Sequence, residues 1–195
     1  MRWERFFEDL EHQLDSEWEA ERAALDTEAE RLRLARLGLR ERIAALARLE
    51  GSVSLHLAGG RTLRGMPTGS GPDWIMLESP AGRLASLIPT EAIVAIGAGE
   101  GDVLASARAS ASTSPLSERM TFGFVLRDLV RRRSPVRIHA ADDRDWAGTI
   151  DRAGADHLDL AVHDLGEARR AAAVTAHRII PFRAIASVEV GGLGV

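Results

Sequence analysis

The chain has 195 residues, 45% of them hydrophobic and 28% charged, which suits one ordinary domain or two small ones and excludes a disordered or collagen-like chain. It contains no cysteine, so disulfides, thiolate catalysis and thiolate metal sites are excluded. The net charge is −4, no apolar run reaches the roughly 18 to 20 residues of a bilayer span, and the N-terminus lacks the apolar stretch of a signal peptide, so the chain is read as cytoplasmic with no membrane partner.

Residues 3–49 carry no proline and one glycine, Gly38, among Glu, Arg, Ala and Leu, which predicts one long helix or two joined near that glycine. Trp3, Phe7, Leu10, Leu14, Trp18, Leu25 and Leu32 recur along it. From Trp18 through Leu39 to Leu46 the spacing is an unbroken run of sevens, one side of a coiled-coil seam. The other side, Glu21, Glu28, Ala35, Arg42 and Leu49, is polar in the middle. At 1.5 Å per residue such a helix would reach roughly 70 Å and needs a partner, so self-association through it is expected, a dimer first.

The rest is one unit written twice. A shift of 83 residues aligns 53–77 with 136–160 without a gap, with eight identities, among them His56/His139, Arg61/Arg144, Gly65/Gly148, Gly71/Gly154 and Asp73/Asp156. The same shift pairs Leu39, Ile43 and Leu46 with Phe122, Leu126 and Leu129, a helical face preceding each copy. Downstream the offset grows by nine residues, so that Ile88-Pro89 matches Ile180-Pro181, and the second copy carries an insertion within 163–173. Strand one of each copy ends in a turn, Gly59-Gly60 or Asp142-Asp143. Strand two bends at Gly65 or Gly148, strand three follows Gly71 or Gly154, and strands four and five flank Pro89 or Pro181. Residues 98–117, rich in Ala, Ser and Gly, read as a linker. The expected organisation is an N-terminal extension (1–38), a first β-module with its helix (39–97), the linker, and a second such module (118–192).

Alternating apolar residues, a glycine turn, a bending glycine and an Asp before an apolar strand (Leu55 to Arg61, Gly65, Asp73 and Leu77; Ile138, Arg144, Gly148, Asp156 and Leu160) resemble the Sm-like branch of the SH3-like barrels. The resemblance covers about two thirds of the chain. It implies an α+β chain: a long N-terminal helix, then two tandem five-stranded antiparallel barrels, each preceded by a helix. The Asn and the Arg-Gly-Asp-type loop with which such proteins hold RNA have no counterpart in Trp74-Ile75-Met76-Leu77, Pro89-Thr90-Glu91-Ala92 or Pro181-Phe182-Arg183-Ala184. The resemblance therefore implies a fold and leaves the RNA contacts unassigned. His177-Arg178 is a partial echo of the Lys-His pair of bacterial RNA-chaperone members.

Candidate functional residues are few. Lys, Asn and Tyr are absent, as in proteins of GC-rich, actinobacterial-type genomes, so every fixed cation is Arg. Only residues 115–195 are even slightly basic, with 12 Arg against 11 acids. Arg127, Arg131, Arg132, Arg133, Arg137, Arg169, Arg170, His177 and Arg178 are the candidate anion or nucleic-acid surface, with helix capping as the competing role of Arg131, Arg132 and Arg133. His56 and His139 alternate with apolar neighbours and should face solvent. His157, His163 and His177 lack a metal-ligand spacing, and Asp142-Asp143-Arg144-Asp145 reads as a turn. No nucleophile elbow, P-loop or dinucleotide fingerprint occurs. No catalytic residue, metal or cofactor is expected. The sequence points to a non-enzymatic scaffold or regulator that self-associates and binds a protein partner, with RNA as the alternative ligand of the Arg cluster.

Overall fold

The computed structural model describes residues 2–82, 84–108, 119–166 and 169–191, and for residues 2–17 and 20 it describes the backbone alone. The chain divides into two compact units, Met1–Gly38 and Leu39–Val195. The first is helix α1, Arg2–Arg36. Its turns are laced by i, i+3 pairs such as Arg31 with Glu28 and Arg33 with Glu30, exposed contacts that water and salt screen.

The coiled-coil expectation is corrected here. α1 stops before Gly38, and Leu39–Leu46 form a separate helix, α2, in the second unit. Leu46, the last member of the run of sevens, is buried with Ile43 beneath the sheet, whereas Trp18, Leu25 and Leu32 are exposed. One continuous seam from Trp18 to Leu46 therefore does not exist. The side chains of Trp3, Phe7, Leu10 and Leu14 lie outside those described.

The second unit holds β1 (Val53–Leu57), β2 (Thr62–Ser70), β3 (Trp74–Glu78), β4 (Leu84–Pro89), β5 (Ile93–Gly97), helix α3 (Glu100–Arg108), helix α4 (Phe122–Arg132), β6 (Pro135–Ala140), β7 (Asp145–Ala153), β8 (His157–Val162), β9 (Ala176–Pro181) and β10 (Ile185–Gly191). α3 lies inside the stretch read as a linker, and residues 109–117 of that stretch fall outside the described residues.

The duplication holds down to the register. Val53 faces Gly65 as Val136 faces Gly148, and Pro67 faces Leu77 as Ile150 faces Leu160. A bulge follows Pro67 and Ile150 at the same place. Turn chemistry repeats as well: Gly59 and Gly60 have φ of 85° and 84°, and Asp143 supplies the positive φ (66°) in the second copy. The paired Asp73 and Asp156 each accept, through the backbone carbonyl, the N–H of the residue after the strand-four proline, Thr90 or Phe182.

The expectation of two closed Sm-like barrels is overturned. All ten strands form one antiparallel sheet, in the order β5-β1-β2-β3-β4-β10-β6-β7-β8-β9. A five-stranded module could close only if its fourth and fifth strands paired. Instead the outer edge of β4 pairs with β10 of the other module, Leu87 facing Val188 and Ser86 facing Glu189. The cores interlock accordingly. Trp74 and Leu87 of the first copy pack with Phe122, Leu126, Ile138 and Leu160 of the second, while Ala186 of β10 packs with Leu55, Leu77 and Ile88 of the first. Two polar contacts tie the same seam: Trp74 Nε1 donates to the Met120 carbonyl (2.6 Å), and Phe122 N–H donates to Asp73 Oδ1 (2.7 Å). Among the described residues no helix is long and apolar enough to cross a membrane.

Candidate anion-binding groove

α4 presents Phe122, Leu126 and Leu129, spaced four and three apart, to the core. The Thr121 hydroxyl caps its start by accepting the Phe124 N–H, and Arg133 ends it in the left-handed region at φ 51°. Arg131 in the last turn and Arg133 at the cap line one groove with residues of β7, β8 and β9. The result is a groove of about 950 Å³ lined by Arg131, Arg133, Arg152, Arg169, Arg178 and His177, with Asp151, Asp159, Val130, Thr149, Ile150 and Ile179. Five guanidinium groups thus meet two carboxylates.

The two carboxylates are engaged. Asp151 takes a bidentate pair from Arg169, with Nε and one terminal nitrogen each at 2.6 Å, and Asp159 lies 3.6 Å from Arg152. The Arg169 hydrogen bonds hold the Asp151 carboxyl below the usual carboxylate range, against the opposing effect of burial. Arg131 pairs with Asp128 outside the groove, and Arg133 and Arg178 have no carboxylate partner among the described residues.

Of the residues singled out from sequence, the groove gathers Arg131, Arg133, Arg169, His177 and Arg178. It does not gather the others. Arg132 pairs with Asp128 (2.7 Å), Arg137 with Asp145 (2.7 Å), and Arg127 donates to the Gly154 carbonyl (3.3 Å). Arg170 is not among the lining residues. Arg152 was missed, although the repeat itself carries a signal for it. At the positions of Asp151, Arg152, Asp159, His177 and Arg178 the first copy has Thr68, Gly69, Met76, Ala85 and Ser86. The first copy thus forms the same strand scaffold with no charge at these five positions.

The histidines do not converge. His177 is in the groove, His157 pairs with Asp156 on an exposed turn, and His163 is buried with Nε2 2.8 Å from Thr149 Oγ1. Among the described residues no group of three or more His, Asp or Glu side chains could hold a metal. His56 is exposed beside Thr62, as expected, but His139 is buried. Its Nε2 lies 3.0 Å from Glu189 Oε1, and that contact lowers the Glu189 carboxyl below its ordinary value. β10 reverses the expectation by placing Ser187 and Glu189 directly across from and beside His139.

Four aromatic residues of the sheet unit, Trp74, Phe122, Trp146 and Phe182, are occupied elsewhere. Trp74 is buried, Phe182 packs edge-on against Phe122 with ring centroids 5.5 Å apart, and Trp146 lies under Arg144. None of them lines the groove. No protein-family model matches this chain, and no curated protein matches it either.

Proposed function

We propose that this chain is a cytoplasmic binding protein without enzymatic activity, and that its groove holds the phosphate backbone of single-stranded RNA. One observation carries the reading: five arginines and a histidine share one groove with two aspartates, and at the positions of Asp151, Arg152, Asp159, His177 and Arg178 the first copy carries uncharged residues. Guanidinium forks match phosphate oxygens in geometry, and neutralised phosphates release counterions. Without an aromatic side chain in the lining, bases have nothing to stack on, so recognition falls on the backbone and tolerates sequence.

The test is fluorescence anisotropy with a labelled single-stranded RNA oligonucleotide across a salt series. Engagement of about three phosphates gives a slope of log K against log[salt] near −2. The double variant Arg131→Glu, Arg133→Glu should weaken binding at least about tenfold and flatten that slope. Salt-independent binding, or binding indifferent to the double variant, would refute the reading.

A second reading, self-association, has its own support. The sheet is open at both ends, and at those edges Ile179 of β9 is 76% exposed and Val94 of β5 is 72% exposed. Their equivalents in the internal junction, Leu87 and Ala186, are 0% and 1% exposed because β4 and β10 pair there. The same register between two copies would place Ile179 of one opposite Ile96 of the other. The exposed row Trp18, Leu25 and Leu32 gives α1 a further surface for a second copy or a protein partner. Light scattering after gel filtration should show more than one chain for the wild type and a monomer for Ile179→Lys. A monomeric wild type at micromolar concentration sinks this reading.

A further inference from the structure

Asp151 and Arg169 occupy the groove in a way that the RNA reading alone does not require. Asp151 stands on β7, on the strand floor of the groove, and Arg169 comes from the insertion that the first copy lacks. Both Asp151 oxygens are taken by the Arg169 fork at 2.6 Å. A planar carboxylate presenting two oxygens to a guanidinium is the side-chain equivalent of two phosphate oxygens. The pair is only partly screened, with the Arg169 side chain 37% and the Asp151 side chain 26% exposed. Nothing in the repeat demands it, since Thr68 holds the place of Asp151 in the first copy.

Resting on the RNA-binding reading above, we propose that Asp151 is an internal competitor for the groove's phosphate site. Its carboxylate fills the Arg169 fork until a phosphate displaces it, so Asp151 sets the affinity threshold for ligands and excludes isolated weak anions. A phosphodiester strand, which also meets Arg131, Arg133 and Arg178, has the extra contacts needed to displace it. A single inorganic phosphate does not.

The competitor is tested by Asp151→Asn, which keeps shape and removes charge, titrated with the same labelled RNA. Freeing Arg169 should tighten binding about three- to tenfold and steepen the salt slope by about 0.7, the contribution of one more phosphate contact. Adding Arg169→Gln to Asp151→Asn should erase both gains, because the tightening runs through that one fork. Inorganic phosphate should compete with RNA measurably better in Asp151→Asn than in the wild type. If Asp151→Asn leaves affinity and slope unchanged, or weakens binding, while Arg131→Glu, Arg133→Glu still weakens it, the competitor is refuted and the groove reading stands. If the wild type binds RNA with no salt dependence, both are refuted. Circular dichroism and the urea midpoint of each variant separate misfolding from a binding effect. A misfolded Asp151→Asn with normal binding by Asp151→Ser, another uncharged residue, would refute the competitor as well.

Discussion

Replacing Leu87 with alanine should lower the unfolding free energy of the sheet unit by about 3 kcal/mol and leave a single cooperative transition. Leu87 is fully buried, on the strand that pairs with β10, and it packs with the core of the second copy. Removing its three outer carbons leaves a cavity in surroundings held by strand pairs on both sides, Met76 on β3 and Val188 on β10. Such a site relaxes poorly, which places the cost in the middle of the range for leucine truncations. Because the lost contacts belong to both copies, the two halves should fail together. Urea unfolding followed by far-UV circular dichroism and by tryptophan fluorescence, with Trp74 in one copy and Trp146 in the other, should give coincident curves. Two separated transitions, or a loss under about 1 kcal/mol, would show that the modules fold independently and that the continuous sheet is wrong.

The internal junction also marks where sequence reading stops. Alternation, turn residues and bending glycines act within a few residues, so the strands of both copies and their mutual register were legible from the two offsets of the repeat. The outer partner of β4 was not. Leu87-Ile88-Pro89 reads the same whether β5 or β10 lies alongside, because the apolar pattern fixes which face is buried and says nothing of which edge is paired. His139 failed for a related reason: its alternation was read correctly, but the face it points to is covered by Glu189 on a strand 50 residues away. The heptad run failed at Gly38, where a local break outweighed a longer pattern. In the groove, Arg131 and Arg133 were found by their clustering in sequence. Arg152 has no charged neighbour of its own sign and becomes visible only against Gly69 of the first copy.

An effect of the same size should come from the smallest change, Gly148→Ala. A Cβ on Gly148 would lie 2.0 Å from the Ala161 carbonyl oxygen and 2.9 Å from its carbon. Both atoms are backbone of the neighbouring strand, fixed by the pairs Gly148 with Val162 and Thr149 with Ala161. Relief requires β7 and β8 to separate, since no rotamer change can move a carbonyl. Gly65 meets the same obstacle at Glu78, at 2.2 Å, so the glycine shared by both copies answers to space and not to backbone conformation. The expected cost is about 3 kcal/mol, at the upper end for overpacking, measured as the shift in the urea transition. Gly166→Ala, where a Cβ meets nothing within 4 Å, should change stability by less than about 0.5 kcal/mol. The displaced strand carries Thr149, Ile150, Asp151 and Arg152 into the groove, so Gly148→Ala should also weaken the proposed RNA binding under conditions where the protein remains folded. A stable Gly148→Ala with wild-type affinity would mean that β7 and β8 do not approach closely at this point, and the floor of the groove would have to be redrawn.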